Sequence, residues 1–269
     1  MDWSIKMINW FTNLPYPIQA LIATCFTWLI TSLGAAVVFL FKRVNKTTLD
    51  AMLSLSAGVM LAATFFSLLL PAMEMADNLE MVSWAVVSVG VLSGGLLLFF
   101  GDKIFNKITK NKNVTKKKRS LMLIFSITLH NIPEGMAIGV AFGSVFYNLD
   151  GATLMAAVLL AIGIGIQNFP EGVAVSLPLR REGMSPRKAF FFGVLSGIVE
   201  PFSAVIGAIL VLKIKILLPI LLAFAGGAML YVVVQELIPE SQQNKRKDLM
   251  ALCTILGFIV MMIFDVTLG

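Results

Sequence analysis

Long apolar stretches separated by short polar ones make up most of the chain. Eight stretches carry few charged residues over about 20 positions or more, and they cover 18–41, 50–73, 82–100, 121–147, 152–178, 188–212, 214–238 and 248–267. An apolar run of 18 or more residues is long enough to cross the hydrocarbon core of a bilayer as an α-helix. The pattern therefore predicts an all-α membrane protein with eight transmembrane helices.

Composition supports this interpretation. Hydrophobic residues make up 58% of the 269 residues, charged residues 13%, and the mean hydropathy is +0.89. Soluble domains carry about 25% charged residues. No polar stretch is long enough for a separate soluble domain, so residues 1–269 are expected to form a single transmembrane domain. The first 15 residues, which include Asp2 and Lys6, show no cleavable signal peptide pattern.

The basic residues lie in alternate loops. The loops after the first, third, fifth and seventh spans hold 18 of the 21 Lys and Arg residues. Because basic loops stay on the cytoplasmic side, both termini are predicted to lie outside. The longest of these loops, at about 101–120, is expected to contact anionic lipid headgroups. The net charge of +6 is therefore a topology signal, and no nucleic-acid partner is predicted.

Two motifs inside the apolar spans resemble each other. The sequence "HNIPEG" at 130–135 recurs as "QNFPEG" at 167–172, in the next span, which runs in the opposite direction. A fainter echo links "AGVML" at 57–61 with "GGAML" at 226–230, each followed some ten residues later by a proline. Inverted repeats with helices interrupted by Gly or Pro indicate the binding site of a transporter.

Each of the two strong motifs carries polar side chains at helical spacing. A His or Gln lies four residues before the glutamate and an Asn lies three residues before it, so all three lie on neighbouring parts of one helix face. Span six holds a third intramembrane acid beside a proline. The candidate metal ligands are His130, Asn131, Glu134, Gln167, Asn168, Glu171 and Glu200.

Three glutamates at this depth need compensation. One charged side chain near the bilayer centre costs about 2.5–3.5 kcal/mol on insertion scales. A cation shared by the three carboxylates supplies the missing positive charge. Mixed nitrogen and oxygen donors suit divalent zinc, iron and manganese, whereas Cu(I) prefers the thiolates that are missing from this set. Cys25 and Cys253 lie in apolar segments as packing residues.

Two other function classes use buried histidine or glutamate residues. An intramembrane metalloprotease needs a zinc-binding motif such as HExxH, and the chain has one histidine, so no enzyme is predicted. A proton- or sodium-coupled solute carrier that uses the glutamates as a relay stays open.

The H-N-x-P-E-G and N-x-P-E-G motifs in the fourth and fifth spans resemble those of the ZIP family (Zrt-, Irt-like metal transporters), in particular its prokaryotic GufA-type branch. The resemblance implies a 3+2+3 arrangement of the helices and import of zinc, with cadmium, iron and manganese as further candidates, across the cell inner (plasma) membrane. A homodimer is one possible assembly.

The resemblance also implies a binuclear site. The first metal ion would be held by His130, Glu134, Gln167 and Glu171. The second would be held by Asn131, Glu134, Asn168, Glu171 and Glu200, so that the two motif glutamates bridge both ions.

Other polar or soft side chains near the span ends suggest a route. Acidic residues at the outer ends of spans two and eight predict an outer mouth, and polar residues at the inner ends of spans three and seven predict an exit. Two residues seven apart on span two are expected to share a face along the path. The predicted path residues are Met60, Ser67, Glu74, Asp102, Gln235, Glu236 and Asp265.

The single histidine gives a testable prediction that follows from the sequence. Imidazole suits zinc, while manganese prefers harder oxygen ligands. Replacing His130 with Ala should therefore weaken the affinity for zinc more than the affinity for manganese, measured by competition between the two metals. An equal loss for both metals would show that His130 is not a ligand.

Overall fold

The computed structural model describes residues 3–40, 45–110, 116–149, 152–181 and 183–268. These residues form helices joined by short connections, and no strand occurs among them. The helices are α1 Trp3–Thr12, α2 Tyr16–Leu40, α3 Lys46–Ala62, α4 Leu70–Asn78, α5 Ser83–Lys110, α6 Lys116–Ser144, α7 Leu154–Arg181, α8 Pro186–Gly197, α9 Val199–Lys213, α10 Leu218–Val232, α11 Ile238–Ser241 and α12 Lys247–Leu268.

The predicted all-α membrane fold is confirmed. Counting described residues alone, seven helical segments are long and apolar enough to cross a bilayer. They are Tyr16–Leu40, Lys46–Asn78, Ser83–Ile104, Leu154–Arg180, Pro186–Lys213, Lys215–Ser241 and Lys247–Thr267. The predicted fourth span falls in α6, where most side chains before Asn131 lie outside the described residues.

The predicted basic loop at about 101–120 is helical wherever it is described. Helix α5 continues to Lys110, and α6 begins at Lys116. Lysine is a good helix former, so each helix continues into the polar segment at little cost. Both α6 and α7 also continue through the prolines of their motifs, Pro133 and Pro170.

The helices pack in two matched sets. Helix α2 packs against α7 as α9 packs against α6, and α3 packs against α12 as α10 packs against α5. The motif glycines mark corresponding contacts in the first set. A Cβ on Gly172 would collide with the carbonyl oxygen of Thr31, and a Cβ on Gly135 would collide with the carbonyl oxygen of Glu200. Glycine is needed at both positions because the backbones of neighbouring helices touch there.

The fainter sequence echo also has a structural counterpart. After "AGVML" the chain forms a π-helix at Ala63–Leu69, and after "GGAML" it forms a π-helix at Val233–Leu237. A proline, Pro71 or Pro239, lies in the first turn of the α-helix that follows each. Because proline has no N–H to donate, one backbone carbonyl in the preceding turn lacks its helical hydrogen bond. Turns of π-helix are also frequent at functional sites.

Span six, predicted as one helix, is interrupted at Ile198, between α8 and α9. Glycine ends the first half at Gly197, and Pro201 lies in the first turn of the second half, where its missing N–H leaves no hydrogen bond unmade. This break places Glu200 in the first turn of α9. An acidic side chain is favoured there by the helix dipole.

Two neighbouring glycines of α5 test the close packing. A Cβ on Gly94 would collide with the carbonyl oxygen of Phe224, whereas a Cβ on Gly95 would meet its nearest neighbour at 3.7 Å. Gly94→Ala should destabilise the protein by about 1–3 kcal/mol. Gly95→Ala should be neutral or stabilise it by about 0.5–1 kcal/mol. Thermal unfolding in detergent measures the difference, and equal melting temperatures would contradict the packing of α5 on α10.

Candidate metal site

Three helices bring the three intramembrane acids together. Glu134 lies on α6, Glu171 on α7 and Glu200 on α9, and their exposed fractions are 0%, 3% and 0%. The carboxylates lie within electrostatic range of one another, with Glu200 acting on both of the others. The convergence predicted from the sequence is therefore present in the fold.

Two amide side chains of α7 hold two of these carboxylates. Gln167 Nε2 donates to Glu134 Oε1 at 2.7 Å. Asn168 Nδ2 lies 3.0 Å from each carboxylate oxygen of Glu200. Hydrogen bonds to an ionised acceptor are stronger than those between neutral groups. The amides thus offset part of the cost of burying the acids.

The two motif asparagines make corresponding contacts. Asn131 Nδ2 donates to the carbonyl oxygen of Ser196, on α8, at 2.9 Å. Asn168 Nδ2 also lies 3.5 Å from the carbonyl oxygen of Thr27, on α2. The inverted relationship between the motifs therefore extends to individual side-chain contacts.

Several oxygen atoms of the predicted ligands are buried without a hydrogen-bond donor. Six buried oxygens of the predicted ligands have no hydrogen-bond partner among the described residues: Asn131 Oδ1, Glu134 Oε2, Gln167 Oε1, Asn168 Oδ1 and both carboxylate oxygens of Glu171. Every one is an acceptor, while the amide nitrogens of the same side chains are in use. Unpaired buried acceptors are costly, and a cation satisfies them without adding a donor group.

The remaining predicted ligand is His130. It lies in α6, one turn before Glu134, and its side chain lies outside the described residues. Among the described residues, no group of three or more His, Cys, Asp or Glu is already arranged to hold one metal ion. The donors on Glu134 and Glu200 are instead amides and a hydroxyl.

The hydroxyl belongs to a residue that the sequence interpretation missed. Thr27 Oγ1, on α2, donates to Glu200 Oε2 at 2.6 Å. Its span contains no acid and no motif copy. A weaker signal was present, because Thr24, Thr27 and Thr31 follow helical spacing and form a polar stripe on an apolar helix.

Two of the predicted path residues near the outer side are brought together. Ser67 Oγ donates to Asp265 Oδ1 at 2.7 Å, and Asp265 Oδ2 has no hydrogen-bond partner among the described residues. Glu74 is half-buried on α4, and Met60 is fully buried. Met60 and Ser67 were predicted to share one helix face. A π-helix begins at Ala63, between them, and its wider turns remove the α-helical spacing on which that prediction rested.

The predicted exit residues lie on two neighbouring helices. Tyr231, which the sequence interpretation missed, donates from its hydroxyl to Asp102 Oδ2 at 3.0 Å. Gln235 lies four residues after this tyrosine and is exposed. Glu236 follows Gln235 in the π-helix Val233–Leu237. It is half-buried and lies within electrostatic range of Glu171. Of the predicted exit residues, Glu236 therefore adjoins the acidic cluster.

Sequence comparison decides the family. Residues 109–265 match the family described as ZIP Zinc transporter. The chain belongs to the ZIP zinc transporter family. The predicted resemblance is thereby confirmed, and the family match contains all seven candidate metal ligands. Thr27 and the path residues of the first three spans lie outside the matched region.

Individual ZIP relatives match along almost the whole chain. Zinc transporter ZIP11 of Xenopus tropicalis is 38% identical, over 94% of this chain and 98% of the relative. Zinc transporter ZIP11 of Homo sapiens is 38% identical, over 93% and 97%. Zinc transporter GufA of Myxococcus xanthus is 34% identical, over 93% and 98%. Vertebrate and bacterial ZIP proteins thus match almost the whole of this sequence.

Proposed function

We propose that the protein imports divalent metal cations into the cytoplasm, with zinc as the main cargo and cadmium, iron and manganese as further candidates. The observation that carries the proposal is the set of six buried oxygen atoms on α6 and α7 that have no hydrogen-bond partner among the described residues. Membership of the ZIP family and the relatives named zinc transporters support zinc as the cargo.

The proposed site binds two metal ions. His130, Glu134, Gln167 and Glu171 hold the first ion. Asn131, Glu134, Asn168, Glu171 and Glu200 hold the second, and the two motif glutamates bridge the ions. The donor-free oxygens belong to five of these seven side chains, which supports their role as ligands.

Binding of the cation relieves an electrostatic conflict. Three buried carboxylates repel one another when they are ionised, and only two of them accept hydrogen bonds from described side chains. A divalent ion compensates the charge and uses the free lone pairs of the amide oxygens. The amide nitrogens can keep their present bonds to carboxylates or backbone while their oxygens turn to the ion.

The proposed path runs across the membrane through this site. The predicted outer mouth contains Glu74 and Asp265, the latter bonded to Ser67. On the predicted cytoplasmic side, Glu236 adjoins Glu171, and Asp102 and Gln235 lie near it on α5 and in the π-helix. An ion that leaves the central site meets further oxygen ligands on its way to the cytoplasm.

Zinc uptake into proteoliposomes, with cadmium, iron and manganese as competitors, tests the proposal. A solute carrier driven by protons or sodium through the same glutamates would neither take up zinc nor bind it. The purified chain should take up zinc and bind it in a detergent-solubilised state. Failure of both measurements would contradict metal transport.

The bridging model predicts unequal effects of the three acids. Glu134→Ala and Glu171→Ala should nearly abolish uptake because each residue serves both metal ions. Glu200→Ala should leave partial activity because it serves one ion. Glu240→Ala, which removes an exposed acid of α11, is the matched control and should behave as the unmodified protein. Similar residual uptake in all three buried variants would refute the binuclear arrangement.

The outer acids should act on uptake through their electric field. An acidic mouth raises the local cation concentration, and salt screens that field over about 8 Å at physiological ionic strength. Replacing both Glu74 and Asp265 with Asn should slow uptake at low salt and matter less at high salt. Ser67→Ala breaks the bond to Asp265 without removing charge, so its effect should not vary with salt. A double-variant defect that is independent of salt would assign the acids to structure.

A further inference from the structure

Helix α2 contributes one side chain to the acidic cluster although it carries no candidate ligand. Thr27 is completely buried, and its hydroxyl lies 2.6 Å from Glu200 Oε2. The contact joins residues 173 positions apart in sequence. It therefore depends on the packing of α2 against α7 and α9.

The Thr27 hydroxyl has a choice of acceptors. The carbonyl oxygen of Thr24 lies 3.0 Å away in the same helix, and Glu200 Oε2 lies at 2.6 Å. A hydroxyl has one hydrogen to donate. Glu200 Oε2 is the nearer acceptor, and an ionised carboxylate accepts a stronger hydrogen bond than a backbone carbonyl does. When Glu200 is ionised, as a metal ligand must be, the hydrogen is therefore directed at Glu200.

Neighbouring threonines do not share this contact. Thr24 donates to carbonyl oxygens of its own helix at Ala20 and Leu21. Thr31 donates to the carbonyl oxygen of Thr27. Both are buried, as Thr27 is. Among the hydrogen bonds of the described residues, Thr27 is thus the one of these three threonines that contacts a carboxylate.

Glu200 has a second donor, but that donor has another role. Asn168 Nδ2 contacts both oxygens of the Glu200 carboxylate, and Asn168 is itself a candidate ligand. Thr27 contacts Oε2 alone. The bond from Thr27 to one oxygen orients the carboxylate, and Oε1, which Asn168 Nδ2 also contacts, keeps a second lone pair that can be offered to an ion.

We propose that Thr27 is a positioning residue of the metal site: its hydroxyl holds Glu200 Oε2 so that Glu200 Oε1 is presented to the cation. This inference rests on the proposed function, because it requires Glu200 to be a ligand. Partners that orient a metal ligand from outside the coordination sphere typically contribute about 10–100-fold to metal affinity.

Zinc affinity of the purified full chain in nanodiscs, measured by calorimetry, tests this role. Thr27→Val removes the hydroxyl and keeps the volume, and it should weaken zinc binding by about 10–100-fold. Thr27→Ser keeps the donor and should restore affinity to within about threefold of the unmodified protein, well below that loss. Thr24→Val is the matched control on the same helix and should bind as the unmodified protein does. Equal affinities of Thr27→Val and Thr24→Val would overturn the proposal.

A double-variant cycle separates positioning from a general structural effect. In the Glu200→Gln background the Thr27→Val change should have little further effect on zinc affinity, because its target carboxylate is gone. If Thr27→Val reduces affinity by the same factor in both backgrounds, Thr27 does not act through Glu200 and the proposal fails. Thr27→Ala takes the place of Thr27→Val in the cycle if the valine variant does not fold.

Zinc binding by the unmodified chain distinguishes a failure of the proposed function from a failure of the positioning role. If it binds no zinc, the proposed function itself fails. If it binds zinc while Thr27→Val binds equally well, the function stands and the positioning role is rejected.

Discussion

The burial of three carboxylates in an apolar helix bundle is the constraint on which the rest of this structure depends. Glu134, Glu171 and Glu200 are removed from solvent, in a setting where one charged side chain costs several kcal/mol. Such residues persist where other polar groups or a cation compensate them. The amides of Gln167 and Asn168 and the hydroxyl of Thr27 provide part of that compensation. The oxygens left without donors are the atoms that the proposed cation would satisfy.

The helix packing follows from the same requirement. For the acids to meet, the backbone of α6 must contact that of α9, and the backbone of α7 must contact that of α2. The motif glycines at 135 and 172 permit these contacts because they have no side chain. The break of span six at Ile198 then turns the first turn of α9 and its Glu200 toward the cluster. Pro201 lies in the first turn of α9 beside Glu200, whereas Pro133 and Pro170 lie inside continuous helices.

The paired arrangement also explains why two π-helical segments occur at corresponding places. Each follows a related sequence, AGVML or GGAML, and each is followed by a proline. The first holds Ser67, which contacts Asp265, and the second holds Glu236, which lies near Glu171. Wider helical turns thus coincide with polar residues that contact another helix or adjoin the central cluster.

Much of this protein was determined by its sequence alone. Apolar length predicted the membrane helices, and the repeated N-x-P-E-G motif predicted the family. The cost of three intramembrane acids predicted that Glu134, Glu171 and Glu200 lie together, because buried charges need compensation in any fold. The break at Ile198, the π-helices and the bonds of Thr27 and Tyr231 were decided by the tertiary structure. These features depend on which helices touch and at what rotation. No local sequence feature of a threonine in an apolar span shows whether it only packs or contacts a carboxylate 173 positions away.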